Sequence, residues 1–162
     1  MGFTTINCYA NTEIKDNNRS CVVKVTSQFG SILLTGDIEK DAELALLRTN
    51  RDALADDVLA SEVLASNVLA SDVLIAPHHG SKTSSTVDFI QAVNAKQVIV
   101  TVGYLNRFKH PKPEILEHYQ AHDADIYRSD VAGAVLINFN AAQGIQTEQW
   151  RLTHRNYWQD VN

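Results

Sequence analysis

With 162 residues and 44% apolar side chains, the chain matches one globular domain, and 20% charged residues without a long charge block exclude disorder over most of it. The formal net charge of −5 excludes a broad basic surface for nucleic acid but leaves room for a local basic patch. No run approaches the ~18–20 apolar residues of a membrane helix, so the segment reads as soluble. Met1-Gly2-Phe3-Thr4-Thr5-Ile6 has no basic n-region of a signal peptide, and Ile6 stands where a myristoylation signal wants Ser or Thr.

Residues 3–10 suit a first strand and 11–19 a polar turn region. Residues 21–26 are rich in β-branched side chains and predict a strand, with a hairpin-like turn at 28–30 and a second strand over 31–35. Cys8 and Cys21 sit in apolar, strand-like runs and read as buried free thiols. At Gly36-Asp37 the period changes, and 39–49, with Ala42, Leu44, Ala45, Leu46 and Leu47 among Glu and Lys, suits a helix. A pentad repeat on Asp57-Val58-Leu59-Ala60-Ser61 then fills 57–71. A period of five matches neither helix nor strand, so the repeat reads as a tandem insertion forming helix extension or surface loop. Its last unit leads into a strand over 72–76 that ends at Pro77-His78-His79-Gly80-Ser81.

Residues 81–85 suit a polar loop, and Ser85 with Asp88 suits the cap of a helix running to 94. A strand over 97–102 ends at Gly103, a loop covers 106–110, and Pro111 and Pro113 mark a helix running to about residue 122. Short strands follow at 126–127, 133–139 and 145–152. Residues 140–162 form a C-terminal extension whose Trp150, Tyr157 and Trp158 suit docking. Together these elements predict a single layered α/β or α+β domain with a mixed sheet. The strands near 73–76 and 97–102, joined through a helix, are expected to be parallel with a right-handed crossover.

Chemistry concentrates where strands end: Asp37, the pair His78 and His79, and His110 each follow a predicted strand. In layered α/β folds ligands gather beyond those carboxyl ends. Imidazole and carboxylate are the ligands a zinc-type metal uses. The same residues also suit blander roles: a capped turn at Asp37, one core and one surface histidine, a loop position for His110. His118 and His122 share a face of a predicted helix but lack the glutamate of a His-Glu-x-x-His motif.

Several runs resemble one family in combination. They are Asn18-Arg19-Ser20-Cys21-Val22, Leu33-Leu34-Thr35-Gly36-Asp37-Ile38-Glu39, and Ile75-Ala76-Pro77-His78-His79-Gly80-Ser81-Lys82-Thr83. The later runs are Val102-Gly103-Tyr104-Leu105-Asn106-Arg107-Phe108-Lys109-His110-Pro111, Tyr127-Arg128-Ser129-Asp130 and Gly133-Ala134-Val135. Across about 17–137 the chain resembles the metallo-β-lactamase-like domain at the C-terminus of ComEC/Rec2 DNA-internalization competence proteins. The resemblance implies half of an αββα sandwich, a mixed sheet with helices on one face. It implies metal-dependent hydrolysis of a DNA strand during uptake, with Zn2+ or Mn2+. Asp37 matches the bridging metal aspartate, His78 and His79 the later metal histidines (His79 the favoured ligand), and His110 the final site histidine beside substrate. Ser81, Lys82, Asn106 and Arg107 would line the cleft, with Lys82 or Arg107 on a phosphate.

The family's His-x-His-x-Asp-His motif is absent, and no histidine precedes His78. The chain therefore reads as the second half of the domain, which cannot complete a binuclear site without the first. The other reading is an inert half-domain serving as a structural or interaction module. An open inner face fed by Val22, Leu33, Ile99 and Val135 would favour a homodimer. The parent family resides in the bacterial inner membrane, and this segment is expected to be a part of it outside the lipid.

Overall fold

The structure, a computed structural model, describes residues 2–7, 16–55 and 68–154. The first strand, β1 (Gly2–Asn7), pairs antiparallel with β2 (Val22–Ser27), which turns at Gln28-Phe29 into β3 (Gly30–Leu34). After β3 come α1 (Lys40–Ala55), β4 (Val73–Ile75), α2 (Val87–Val93), β5 (Gln97–Val100), α3 (Pro113–Gln120) and β6 (Asp125–Arg128). These six strands form one mixed sheet in the order β1-β2-β3-β4-β5-β6, antiparallel as far as β3 and parallel beyond it. The architecture is the α/β one expected from the sequence, and β4 and β5 are parallel. A short helix α4 (Ser129–Ala132) leads to the separate hairpin β7 (Val135–Asn140) and β8 (Gly144–Gln149), followed by α5 (Trp150–Thr153). Residues 150–152, expected in the last strand, are helical.

Strand periodicity explains the layers. Leu33, Leu74 and Val98 are in register across three strands, so they share a face. That face packs on Ala42 and Leu46 of α1, Phe89, Ile90 and Val93 of α2, and Ile115 and Tyr119 of α3. Each fully buried Leu or Phe in such a cluster contributes about 1.5–3 kcal/mol. Leu69, from the last pentad, is fully buried in this core, so that unit is no surface loop. The pentad residues at 57–67 lie outside the described residues.

The opposite face carries Ile32, Val73 and Gln97 in one row and Ile75, Ile99 and Tyr127 in the next. The β7–β8 hairpin lies over part of it. The Thr147 hydroxyl bonds the Gln97 side chain, and Phe139 and Ile145 press on Gly30 so closely that a Cβ there would lie 2.8 Å from Phe139. This corrects the open patch expected from Val22, Leu33, Ile99 and Val135. Val22 and Leu33 point to the helices and are buried there, Ile99 is 4% exposed, and Val135 is half-buried within the hairpin. What stays open is smaller: a groove of about 500 Å³ lined by Val25, Ile32, Phe29 and Phe139, with Leu34 exposed on the same side of the sheet.

Cys21 also departs from expectation. It is exposed and disulfide-bonded rather than a buried free thiol, because it lies just before β2 instead of inside it. Cys8 lies outside the described residues. Among the described residues, no helix is long and apolar enough to cross a membrane.

Candidate functional site

Three parallel-sheet strands, β3, β4 and β5, each end in a loop that carries a candidate residue. The loop after β3 turns at Gly36 (φ +57), where a Cβ would lie 2.9 Å from the Ser20 Cβ. Ser20 Oγ then accepts the Asp37 N–H at 3.1 Å, and Asn18 Oδ1 accepts the Glu39 N–H at 2.7 Å. The 16–20 turn therefore acts as a clamp on the Asp37 loop. The His78 N–H donates to the Gly36 carbonyl at 3.0 Å, which joins this loop to the next one.

The loop after β4 takes two non-glycine residues through left-handed backbone, His78 (φ 45) and His79 (φ 57). Such conformations cost roughly 1–3 kcal/mol each and persist only when the surroundings over-determine them. Here they send the two rings apart. His79 Nδ1 meets the Thr101 carbonyl, which can only accept, so Nδ1 carries the proton. Its Nε2 then faces Asp37 Oδ1 at 3.4 Å. Two lone-pair atoms facing each other this way call for a cation between them, either a proton or a metal. His78 turns elsewhere: its Nδ1 lies 3.3 Å from Glu39 Oε1 and 3.3 Å from Thr83 Oγ1.

The loop after β5 places His110 beside the pair, with its ring 5.9 Å from that of His78. His110 Nδ1 is buried without a hydrogen-bond partner among the described residues. Burial holds its pKa below the usual histidine value, with Lys112, His78 and His79 adding in the same direction, so the ring favours the neutral form.

The other predicted lining residues divide. Lys82 and Arg107 are exposed. Ser81 is 5% exposed, and its hydroxyl contacts Thr83 Oγ1 at 3.1 Å. The Asn106 amide is turned into its own loop. Nδ2 donates to the carbonyls of Gly103 and His110, and Oδ1 accepts the His110 N–H at 2.9 Å. Asn106 positions His110 rather than presenting its side chain to the cleft.

Glu43 was not singled out by sequence reasoning. It is fully buried on α1, and its carboxylate accepts the Ser85 N–H, the Thr86 N–H at 2.9 Å and the Thr86 hydroxyl at 2.7 Å. Burial pushes its pKa up despite those donors. Ser85 (φ 60) also accepts the Tyr119 hydroxyl at 2.8 Å, so the expected Ser85 cap gives way to Thr86 at the start of α2. The only legible signal was a glutamate beside the apolar positions of a predicted helix, four residues after Glu39.

Among the described residues, no three His, Cys, Asp or Glu groups converge as a metal cage. The fold and site thus define a mixed α/β domain with a carboxylate–imidazole pair at the carboxyl ends of its parallel strands. Over 90% of its length the chain is 30% identical to competence protein ComA of Neisseria gonorrhoeae. It is 31% identical over 79% of its length to ComE operon protein 3 of Bacillus subtilis, and 30% identical over 76% to recombination protein 2 of Haemophilus influenzae. It spans only 19%, 14% and 14% of those proteins. No protein-family model matches the chain. No solved structure matches it.

Proposed function

We propose that the chain is the second half of a metallo-β-lactamase-like domain of the ComEC/Rec2 competence type, serving in DNA uptake by metal-dependent hydrolysis of a DNA strand. The supporting observation is Nε2 of His79 facing Asp37 Oδ1 at 3.4 Å, with Nδ1 held from behind by the Thr101 carbonyl. A ring nitrogen oriented by a hydrogen bond from its other nitrogen to a backbone carbonyl is a common arrangement for a metal-ligating histidine. Asp37 and His79 would hold Zn2+ or Mn2+, which when bound supplies a Lewis acid and an activated water. His78, matched to the metal histidines by resemblance, instead braces Glu39 and Thr83. His110, its pKa lowered by burial, would face the substrate. Lys82 or Arg107 would hold a phosphate.

A pair of ligands is too few for a binuclear centre, so the remaining ligands come from a partner half. The groove of Val25, Ile32 and Phe139, with Leu34 beside it, is the surface that half would cover. A homodimer would use the same groove, and light scattering at micromolar concentration reads it. The alternative reading is a catalytically inert half-domain acting as a structural or interaction module.

The test mixes the chain with a separately produced segment carrying the His-x-His-x-Asp-His motif. Metal content and cleavage of DNA and bis-nitrophenyl phosphate are then measured. Stoichiometric metal and cleavage that both disappear in His79→Ala support the hydrolase. Neither metal nor cleavage in the mixture leaves the module reading.

A further inference from the structure

The run Tyr127-Arg128-Ser129-Asp130 belongs to the last strand of the sheet, three strands along from β3 and Asp37, yet its serine is tied into the site. The parallel ladder between β5 and β6 ends at Val100 and Arg128. One residue on, a side chain takes over from the ladder. Ser129 Oγ accepts the Val102 N–H at 2.7 Å and donates to the Val102 carbonyl at 2.8 Å, with the Val100 carbonyl 3.4 Å away. Ser129 is itself held at a closed turn. The Arg128 guanidinium donates to both carboxylate oxygens of Asp130, at 3.1 and 2.6 Å, and the Gly133 N–H donates to the Ser129 carbonyl at 2.9 Å.

Strand geometry carries this grip to the other side of β5. In extended backbone the N–H and C=O of one residue point to the same neighbouring strand, and those of the next residue to the opposite one. Val100 and Val102 face Ser129 on the β6 side, so Thr101 faces the β4 side, as Ile99 does. The Ile99 carbonyl shows that direction, because it accepts the Ala76 N–H at 2.9 Å. Two residues further, the Thr101 carbonyl meets His79 Nδ1, with Thr101 Oγ1 3.3 Å from the same atom. Asp37, His79, Thr101-Val102 and Ser129 thus form one line of contacts, each from just past the end of one of four adjacent parallel strands.

We propose that Ser129 is a positioning residue for the site: its hydroxyl keeps β5 extended past its ladder, which aims the Thr101 carbonyl at His79 and holds the His79 proton on Nδ1. Nε2 is then the ring atom offered toward Asp37 and a metal. The inference rests on the reading of Asp37 and His79 as a ligand pair and adds what sets the ring. A neutral imidazole carries its proton on either nitrogen, and a proton on Nε2 closes that atom to a metal. A hydrogen bond from the other nitrogen to a backbone carbonyl fixes both tautomer and ring orientation. A serine that only closed the seam between β5 and β6 would change stability and leave the His79 proton where it is.

The test is nitrogen NMR of the histidine rings in the whole chain with EDTA present, at about pH 8.5, roughly two units above the ordinary histidine pKa, where a neutral ring reports which nitrogen bears the proton. His79→Ala identifies the His79 signals. The parent is expected to carry the proton on Nδ1. Ser129→Ala should lose that preference, the proton moving wholly or partly to Nε2, and Ser129→Thr, which keeps the hydroxyl, should restore it. Should Ser129→Ala not fold, Ser129→Cys, whose thiol is a weak donor, is read in the same way. Zinc affinity of the completed domain should fall about 10–100-fold in the variant without the hydroxyl and recover in Ser129→Thr. A parent with the proton on Nε2 overturns the proposal. So does a variant without the hydroxyl whose His79 keeps the proton on Nδ1, whatever happens to its unfolding midpoint. A tautomer that follows Ser129 while the completed domain takes no zinc would sink the ligand-pair reading alone. Zinc that is lost in His79→Ala but held equally by the parent and Ser129→Ala, with the tautomer unchanged, would sink this inference alone.

Discussion

Two loops bring histidines to the same place by opposite means. The loop after β4, carrying His78 and His79, is pinned by groups from elsewhere in the fold. Glu43 of α1 accepts from Ser85 and Thr86, Tyr119 of α3 reaches Ser85, and the Lys40 N–H bonds the Thr83 carbonyl at 2.9 Å. The loop after β5, carrying His110, is tied mostly to itself and exposes its large side chains. The first behaves as scaffold, the second as contact surface. Substitutions in the first should therefore register in stability, and those at the tip of the second only in binding.

The largest effect is expected from Glu43→Ala. It strands the buried Ser85 N–H, worth about 1–3 kcal/mol, and the part-buried Thr86 N–H, so denaturant unfolding should show a loss of about 1–3 kcal/mol or more. An unchanged midpoint would mean that water replaces the carboxylate and that the loop is not pinned.

Gly80→Ala should come next, because Gly80 is where the two loops touch. Its φ is +75, a Cβ would lie 2.6 Å from the Pro111 Cβ, and its carbonyl accepts the Lys112 N–H at 2.9 Å. Overpacking of this kind costs about 1–3 kcal/mol. The same variant should displace His110, which a shift of the His110 ring resonances would report.

Tyr119→Phe removes only the bond to Ser85 and should cost about 1 kcal/mol. Burial pushes the Tyr119 phenol up, so this tyrosine should remain protonated across the working range of any assay.

The pH dependence of Glu43 is smaller and has a definite sign. Its folded pKa lies above the usual glutamate value because burial disfavours the carboxylate. The contribution is therefore fully present below the unfolded pKa and lost as pH rises through the folded one. The stability gap between the parent and Glu43→Gln should narrow as pH increases from about 4.5 upward. A gap that widens would mean that the three donors outweigh burial.

Tyr104→Ala, on the exposed side of the comparison, should leave the unfolding midpoint within about 0.5 kcal/mol of the parent. A larger loss would show that this loop is also scaffold.

The order of strands and helices, the parallel pairing of β4 with β5, and the clustering of Asp37, His79 and His110 at strand ends were all legible in the chain. Those signals are local: β-branched runs, a change of period at Gly36, prolines ahead of α3. Similarity to competence proteins follows from the same ordered runs. What the side chains do once there was not legible. That His78 turns to Glu39 while His79 faces Asp37 depends on two left-handed residues and on the Thr101 carbonyl, 22 positions away. That Asn106 clamps its own loop, and that Glu43 reaches 42 positions to Ser85, depends on which donors packing leaves unmet. Strand periodicity says which residues share a face, but it cannot say which face the helices take. For that reason Val22 and Leu33, expected on an open surface, are buried against α1, α2 and α3, while the β7–β8 hairpin covers part of the other side. Local sequence determined the elements and the residues that gather at their ends; only long-range packing decided which of those residues act on one another.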